Sequence, residues 1–401
     1  MKNFLKFFVT VFLILSFVSA SEISAQEYTA KLEKLKSLAD SVTNYYRQNM
    51  DVKQGGFYIY INTPDETYLV YSGLNQDITP LSNLRLASIT KTFTAASIMK
   101  LYDEGLLDIA DVITNKIPGT DKSYVPDDEN YDLPFKNKIT IEMLLGHRAG
   151  VFDVTNTAIP DSIKEPYAGI TYPMYIMETL KDSLHTFDFD ELTGIVAKNK
   201  LYYFEPGEGF HYSNTGYHIL GKIIERVSGL TYSEFIEKNF FDKLDIKAYS
   251  IWKGTDTQIP EPNIQSYFQI DGNSINTTID NMSPNVADGN IISSPEEISK
   301  WMRLLITGKA GVSPKSIEKM IQMKPGDKVQ NLYGLGLTVN QGLGYGHDGA
   351  HNAYLNVLRH NPENGVTVFA ACNFWYIKDL YTQGYSLNKF ALDAVNIVTG
   401  K

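Results

Sequence analysis

The chain has 401 residues, an ordinary globular composition and a formal net charge of −10, with 36 basic and 46 acidic side chains. An acidic chain without a basic run argues against nucleic-acid partners and against binding to anionic lipid surfaces. The one cysteine, Cys372, lies in an apolar run and cannot form an internal disulfide, so the fold must be held by a packed core.

The first 25 residues have the layout of a secretory signal peptide. Lys2 and Lys6 precede an apolar run over 7–18, and small residues follow that run. Cleavage after Ala20 and cleavage after Ala25 both fit; the second removes two lysines and one glutamate and leaves a net charge of −11. We expect a periplasmic or secreted protein with no lipid-attachment cysteine after the signal, and an uncleaved N-terminal anchor is the alternative.

The remaining elements change in character along the chain. The N-terminal part predicts a helix over 28–50, strands over 57–61 and 67–72, and a helix over 88–104. A middle section rich in Pro, Asp, Asn and Tyr has helical patterns over 140–145, 187–198, 214–228 and 231–240. The C-terminal part predicts a helix over 295–305, strands over 334–339, 342–347, 353–360 and 366–372, and a helix over 380–398.

Strands at both ends of the chain, with helices between them, predict an α/β (α+β) fold. We expect one antiparallel sheet from the two chain ends, flanked by helices, and a mostly helical lobe. The predicted boundaries are a signal peptide over 1–25, a sheet domain from 26–110 and 290–401, and a helical lobe over 111–289. A cleft between the two parts is where a binding site is expected.

Ser88 and Lys91 stand three residues apart at the start of a predicted helix. Residues with this spacing lie on one helix face, so the Lys91 amine can reach the Ser88 hydroxyl. A serine hydroxyl is a poor nucleophile until a neighbour takes its proton, and a lysine in this place can do so. The alternative is a solvated helix start with serine as its N-cap.

Two later triplets give this pair a context, Tyr212-Ser213-Asn214 and His347-Asp348-Gly349. Together the three motifs resemble those of the serine beta-lactamase and penicillin-binding protein superfamily, S-x-x-K with Y-S-N and H-x-G. The Y-S-N form is similar to the class C beta-lactamase and DD-carboxypeptidase branch, whereas the third triplet lacks the lysine of class C enzymes. Segments 144–150 and 217–225 add to the resemblance, which extends from about residue 55 to 375.

The resemblance implies a beta-lactamase/DD-peptidase-like fold and a role for each motif residue. Ser88 is the expected nucleophile, and Lys91 and Tyr212 are the groups able to take and return its proton, with the choice of base left open. Expected substrate-binding residues are Asn214, which can alternatively orient Lys91, together with His347 and Gly349. The backbone N–H groups of Ser88 and Ala350 are expected to form the oxyanion hole. No metal or cofactor is expected.

Each residue also has an ordinary structural interpretation. Tyr212 can be a core aromatic residue, and Asn214 can be the N-cap of the helix that follows it. His347 and His351 could suggest a metal, although no third ligand has a usual spacing. His147 is interpreted as structural.

We therefore expect an exported serine hydrolase that works through a Ser88 acyl-enzyme, most like a D-alanyl-D-alanine carboxypeptidase. A beta-lactamase or a small-ester hydrolase is the alternative within the class, and a penicillin-binding sensor or pseudoenzyme without turnover is the alternative outside it. The expected partner is a small molecule or a peptide, such as a cell-wall peptide ending in D-Ala; the oligomeric state stays open. Asp288 and Asn290 are bulkier and more polar than the small residues of the family loop, which bears on substrate identity.

Overall fold

Both ends of the chain contribute strands to the largest sheet of the computed structural model, which describes residues 2–327 and 331–401, with side chains from residue 25 onward. The helices are α1 (Lys2–Asn49), α2 (Thr90–Asp103), α3 (Ile141–Leu145), α4 (Tyr172–Met174), α5 (Phe189–Lys198), α6 (Asn214–Ser228), α7 (Tyr232–Ile236), α8 (Asp242–Leu244), α9 (Pro295–Ile306), α10 (Pro314–Met320) and α11 (Leu380–Thr399). The strands are β1 (Phe57–Asn62), β2 (Thr67–Ser72), β3 (Leu84–Arg85), β4 (Ala248–Ser250), β5 (Tyr267–Ile270), β6 (Asn273–Asn276), β7 (Ile291–Ser293), β8 (Lys324–Pro325), β9 (Leu332–Tyr333), β10 (Thr338–Asn340), β11 (Gly344–His351), β12 (Tyr354–His360), β13 (Thr367–Cys372) and β14 (Phe374–Tyr376).

The largest sheet runs in the order β2-β1-β13-β12-β11-β10-β9-β8, and its neighbouring strands are antiparallel. In its centre Tyr58 lies opposite Tyr71 on one side and Ala371 on the other, so an early strand pairs with the last strand of the sheet. The predicted antiparallel sheet from both chain ends is thereby confirmed.

The two faces of this sheet are covered by different helices. One face packs with α1 and α11 through the buried residues Leu35, Phe57, Val357, Val368 and Phe390. The opposite face packs with α2, α6 and α9 through the buried residues Tyr58, Phe93, Ile219, Trp301, Leu358 and Phe369. Because side chains alternate across a strand, β12 sends Val357 to one core and Leu358 to the other. The sheet is therefore the middle layer of the molecule, as an α/β fold requires.

The middle section is mostly helical, and it also contains short strands that the sequence did not predict. β4 pairs with β7, and β5 pairs with β14, so this section is tied to the C-terminal part by backbone hydrogen bonds. These strands have only three or four residues, too few for an alternating pattern to be recognised. The proposed domain boundaries at residues 110 and 290 stay predictions.

Two predicted elements differ from the structure close to the site. The strand predicted over 334–339 is wrong: β9 ends at Tyr333 and β10 begins at Thr338. Gly336, which has φ of +72°, lies in the intervening turn, where a Cβ would come 2.3 Å from that of Ala95 in α2. The helix predicted from Ser88 begins as a 3-10 turn over Ala87–Ile89 and becomes α2 only at Thr90.

The predicted signal peptide, residues 1–25, lies outside the described side chains except for Ala25, and it stays a prediction. Within the described part of the chain, no helix combines the length and the apolar character that a bilayer span needs.

Candidate active site

Ser88 lies in the tight turn that leads into α2. The residue before it, Ala87, has φ of +51°, a left-handed conformation that costs a non-glycine residue energy. The amide of Leu86 fixes the start of the turn by donating to the carbonyl of Ile291 in β7 at 2.9 Å. Ser88 is half-buried while both of its neighbours are buried, so Ser88 is the residue of this turn that is partly open to solvent. The turn therefore presents Ser88 from a rigid support.

The Lys91 amine is buried, and its three nearest acceptors come from three different residues. Its Nζ donates to Asn214 Oδ1 at 2.8 Å, to the carbonyl of Asp288 at 3.0 Å and to Ser88 Oγ at 3.2 Å. The amide and carbonyl oxygens can only accept, so they take two of the amine hydrogens. The third direction, towards Ser88, carries a hydrogen in the ammonium form and the lone pair in the free amine.

The surroundings of Lys91 make its free amine form more favourable than it is in an exposed lysine. Burial lowers the pKa of Lys91, while the carboxylates of Asp288 and Asp153 act in the opposite direction. Removing charge from a buried lysine avoids part of the cost of taking an ammonium out of water. Burial therefore makes Lys91 a better proton acceptor than an exposed lysine, while its contact with Asp288 favours the paired ammonium.

Tyr212 lies on the other side of this group. Lys91 Nζ is 4.7 Å from the centre of its ring. Burial raises the pKa of Tyr212 well above its usual value, and the neighbouring Ser88 hydroxyl lowers it in part. The Tyr212 hydroxyl is buried beside Ser88 and has no hydrogen-bond partner of good geometry among the described residues.

Asn214 is held by residues that the sequence did not single out. Its Nδ2 donates to Thr155 Oγ1 at 3.0 Å, which turns Oδ1 towards Lys91, and its backbone N–H donates to the buried Asp153 carboxylate at 3.2 Å. The N-cap of α6 is Ser213, whose Oγ accepts from the amide of Gly216, so the interpretation of Asn214 as the cap is wrong. Asn214 orients Lys91; its predicted contact with substrate stays a prediction.

His347 is linked to the site through a relay of neutral groups. The amide of Ser213 donates to His147 Nδ1 at 3.1 Å, so His147 must donate from Nε2 to the Tyr333 hydroxyl at 3.2 Å. That hydroxyl donates to His347 Nε2 at 3.0 Å, and His347 Nδ1–H donates to the carbonyl of Asp348. Burial lowers the pKa of His347 to about 3 and that of His147 well below its usual value, so both rings are neutral.

This relay changes how the predicted roles of two histidines are understood. His347 is buried, and both of its ring nitrogens already have partners within the protein. His147 does more than fill space, because its ring lies 4.2 Å from the ring of Tyr212 and its Nδ1 fixes the residue after Tyr212. His351 pairs with Asp280 at 2.7 Å. A direct contact between His347 and substrate stays a prediction.

Gly349 lies where β11 passes close to the Ser88 turn. A Cβ there would lie 2.2 Å from the carbonyl oxygen of Leu86, so a side chain would push β11 away from that turn. The predicted contact between Gly349 and substrate stays a prediction. Ala350 follows with its side chain exposed; its part in an oxyanion hole with Ser88 stays a prediction.

Asp288 is the main residue whose place in the site was not predicted. Asp288 and Asn290, which were expected to bear on substrate identity, are both buried, and Asp288 contacts Lys91. Its carboxylate also contacts His218, in the middle of α6, at 2.9 Å. A polar residue where small ones are usual was the available signal, but its partner lies 70 residues away in the sequence.

The structure thus brings Ser88, Lys91, Tyr212 and Asn214 into one pocket and connects His347 to it through Tyr333. The family model described as Beta-lactamase matches residues 43–387. The chain belongs to the Beta-lactamase family. A nucleophile, a buried amine and a phenol in contact are what acyl transfer needs in a hydrolase of this family.

Two curated relatives are similar to parts of this chain. The chain is similar to penicillin-binding protein 4* of Bacillus subtilis, 32% identical over 161 residues that cover 40% of this chain and 28% of that protein. It is also similar to protein flp of Staphylococcus aureus, 24% identical over 313 residues that cover 75% of this chain and 55% of that protein. The matched region therefore spans about half or less of these curated relatives.

Among solved structures, the chain is similar to the D-amino acid amidase from Ochrobactrum anthropi SV3 complexed with D-phenylalanine. The TM-score is 0.71 at 21% identity, and the match covers 93% of this chain and 100% of that one. At this identity the likeness shows a shared fold.

Proposed function

We propose that the protein is an exported serine hydrolase that acts through a Ser88 acyl-enzyme. The observation that carries this is the orientation of Lys91: two obligate acceptors hold its amine so that the third direction meets Ser88 Oγ at 3.2 Å. A nucleophile and a base within hydrogen-bond reach are the geometry that acyl transfer requires.

The first step forms a bond between Ser88 Oγ and the substrate carbonyl carbon while the serine proton moves to the Lys91 amine. The bond to the leaving group then breaks, and the leaving nitrogen or oxygen takes that proton, directly or through the Tyr212 hydroxyl. Water repeats the sequence on the acyl-enzyme, releases the acid and restores Ser88. Lys91 fits the role of proton acceptor better than Tyr212, since burial lowers the pKa of Lys91 and raises that of Tyr212.

For the substrate we propose first a D-amino acid amide, whose carboxyl end is the uncharged amide. Two cations act on His347, and both are already paired: Lys91 contacts Asp288, and Arg359 contacts Asp348 at 2.8 Å. His347 itself is neutral, so the H-D-G triplet offers no spare positive charge to a substrate carboxylate. The fold shared with a D-amino acid amidase supports the same class.

The second candidate is the D-alanyl-D-alanine carboxypeptidase expected from the sequence. It is supported by the Y-S-N and H-x-G pattern and by the similarity to penicillin-binding protein 4*. This substrate carries a terminal carboxylate, which would have to displace Asp348 from Arg359 or bind by neutral donors.

One experiment separates these candidates. The purified protein is incubated with D-phenylalanine amide, L-phenylalanine amide, an acetylated peptide ending in D-Ala-D-Ala, a p-nitrophenyl ester and a fluorescent penicillin, and products and intact mass are measured. We expect ammonia from the D-amide, little from the L-amide, and none from Ser88→Ala. Release of D-Ala with no amide turnover would favour the carboxypeptidase, rapid penicillin hydrolysis a beta-lactamase, and a stable adduct without turnover a sensor.

Export has its own test. Expressed with its full N-terminus in a Gram-negative host, the protein should be found in the periplasm with a mass that corresponds to cleavage after Ala20 or Ala25. An uncleaved chain in the membrane fraction would favour the N-terminal anchor.

A further inference from the structure

The Lys91 amine contacts Ser88 on one side and forms an ion pair with Asp288 on another. The Asp288 carboxylate lies 3.5 Å from Lys91 Nζ, and the two side chains are 2% and 0% exposed. Because the Asp288 carbonyl also accepts from Lys91, one residue contacts the amine through both its backbone and its side chain. A buried carboxylate at this distance stabilises a neighbouring ammonium far more than a carboxylate in water would, since little solvent screens the two charges.

The loop that carries Asp288 is built to hold this position. Ala287 has φ of +71°, which turns the chain so that the backbone and the side chain of the next residue face Lys91. The carbonyl of Ala287 accepts from Thr94 Oγ1 of α2, the helix that bears Lys91. Loop and helix are therefore fastened together one turn beyond the lysine.

The Asp288 carboxylate is itself held from behind. His218 Nε2 donates to Oδ1 at 2.9 Å, and Asn285 Nδ2 donates to Oδ2 at 3.2 Å. His218 is completely buried, and its ring is stacked near Phe189. Such supporting hydrogen bonds fix a charged group that a functional side chain depends on.

We propose that Asp288, held by His218, is a positioning residue of the acylation reaction, which keeps Lys91 directed at Ser88 and supplies the counter-charge that controls when Lys91 can take the serine proton. The proposal rests on the proposed function for its effect on rate, but not for its effect on the charge of Lys91. The direction is set by electrostatics: Asp288 favours the ammonium, whereas burial favours the free amine.

Other groups act on Lys91, and the test must allow for them. They are Asp153 from the loop after α3, Tyr212 from the segment before α6, Tyr217 from the first turn of α6, His147 from the turn after α3 and His347 from β11. Only Asp288 both contacts the Lys91 amine and carries a charge among the described residues.

The experiment compares Asp288→Asn with Asp280→Asn. Asp280 also pairs with a histidine, His351 at 2.7 Å, but has no contact with Lys91, so its variant is the matched control. The Lys91 signal is followed by NMR of protein with ¹⁵N-labelled lysine side chains, and it is identified by its loss in Lys91→Arg. In parallel, the rate of Ser88 acylation by a p-nitrophenyl ester is measured against pH.

We expect Lys91 to lose its proton at lower pH in Asp288→Asn than in the wild type and the control. The acid limb of the acylation profile should move to lower pH by the same amount, and the plateau rate should fall on the order of 10²-fold because the amine is no longer held. An unchanged NMR titration in folded Asp288→Asn would overturn the proposal.

If Asp288→Asn does not fold, His218→Phe is the variant that tests the proposal. It keeps an aromatic ring beside Phe189 and leaves the Asp288 carboxylate in place. Loss of the donor to the carboxylate should move the Lys91 titration to higher pH; a profile like that of the wild type would overturn the proposal. If no probe acylates Ser88, the proposed function fails while the NMR titration still tests Asp288. If the alkaline limb of the acylation profile shifts instead of the acid limb, Lys91 is not the base. Asp288 would then only stabilise the Lys91 ammonium, and its proposed control of proton transfer would be overturned.

Discussion

Ser88 lies between two halves of the site that are stabilised by different kinds of interaction. The charged half consists of Lys91, Asp288, Asn214 and Asp153, joined by an ion pair and by hydrogen bonds to charged groups. The aromatic half consists of Tyr212, His147, Tyr333 and His347, whose rings meet in tilted and edge-on contacts and are joined by hydrogen bonds between neutral groups. The charged half is stable while its groups stay ionised, whereas the aromatic half is stable while its groups stay neutral. Mutation should therefore act most strongly on the charged half, and acid on the aromatic half.

The largest effect should come from the charged half. Lys91→Met removes one partner of a buried ion pair and leaves Asp288 uncompensated, which should cost about 3–5 kcal/mol of unfolding free energy. Acylation should slow by roughly 10²–10⁴-fold because the base is lost. Urea unfolding and the rate of labelling by a p-nitrophenyl ester measure the two effects. Wild-type stability in this variant would mean that the pair contributes nothing to the fold.

Acid should act on the aromatic half. The pKa of His347 is lowered from 6.5 to about 3 in the folded state, so the unfolded chain binds more protons between those values. The stability is present above pH 6.5 and is lost as pH falls towards 3, with a slope of up to about 1.4 kcal/mol per pH unit. His147 adds to the loss in the same direction.

Urea unfolding at pH 7 and pH 5 measures the loss. The control is His347→Gln, which cannot titrate and should show a smaller difference between the two pH values. An equal difference in the variant and the wild type would assign the acid sensitivity to other groups.

A smaller effect is expected from Tyr333→Phe, which breaks the relay in its middle. His147 Nε2–H and His347 Nε2 both lose their partner in a buried place, which should cost about 1–3 kcal/mol. If His347 contributes to substrate binding, KM should rise more than kcat falls. Tyr124→Phe, in which a buried tyrosine outside the site loses its hydroxyl contact to Asp111, is the comparison.

The smallest change in stability should come from Tyr212→Phe. Its hydroxyl is buried without a partner of good geometry, so removing it should change the unfolding free energy by less than about 1 kcal/mol. Acylation should nevertheless slow markedly, since the group that passes the proton to the leaving atom is lost. Acylation at the wild-type rate would remove Tyr212 from the mechanism.

Features that are marked by residues close together in the sequence could be predicted, and features that depend on distant residues could not. The helix over 214–228 and the helix from Pro295 were placed correctly because apolar periodicity and N-cap residues mark them within a few positions. The Ser88 turn was mistaken for a regular helix since its left-handed Ala87 leaves no mark in the sequence. The motif residues were found by resemblance, which does not say what holds them.

The parts that were missed are contacts between distant segments. Asp288 and His218 are 70 residues apart, and Tyr333 is 186 residues from His147. A lone aspartate or tyrosine has an ordinary interpretation until folding brings its partner to it. The contact of Gly349 with the Leu86 carbonyl is of the same kind, since the two residues are distant in the sequence.

The pairing of β1 with β13 has a consequence for how this protein becomes active. One edge of β1 stays open until residues 367–372 are available, although the segments bearing Ser88, Lys91 and Tyr212 are made much earlier. A ribosome or a translocation channel must therefore deliver nearly the whole polypeptide before the central layer can close, and pairings of such long separation form slowly. Truncation before residue 367 should leave a chain that carries the nucleophile but cannot hydrolyse anything.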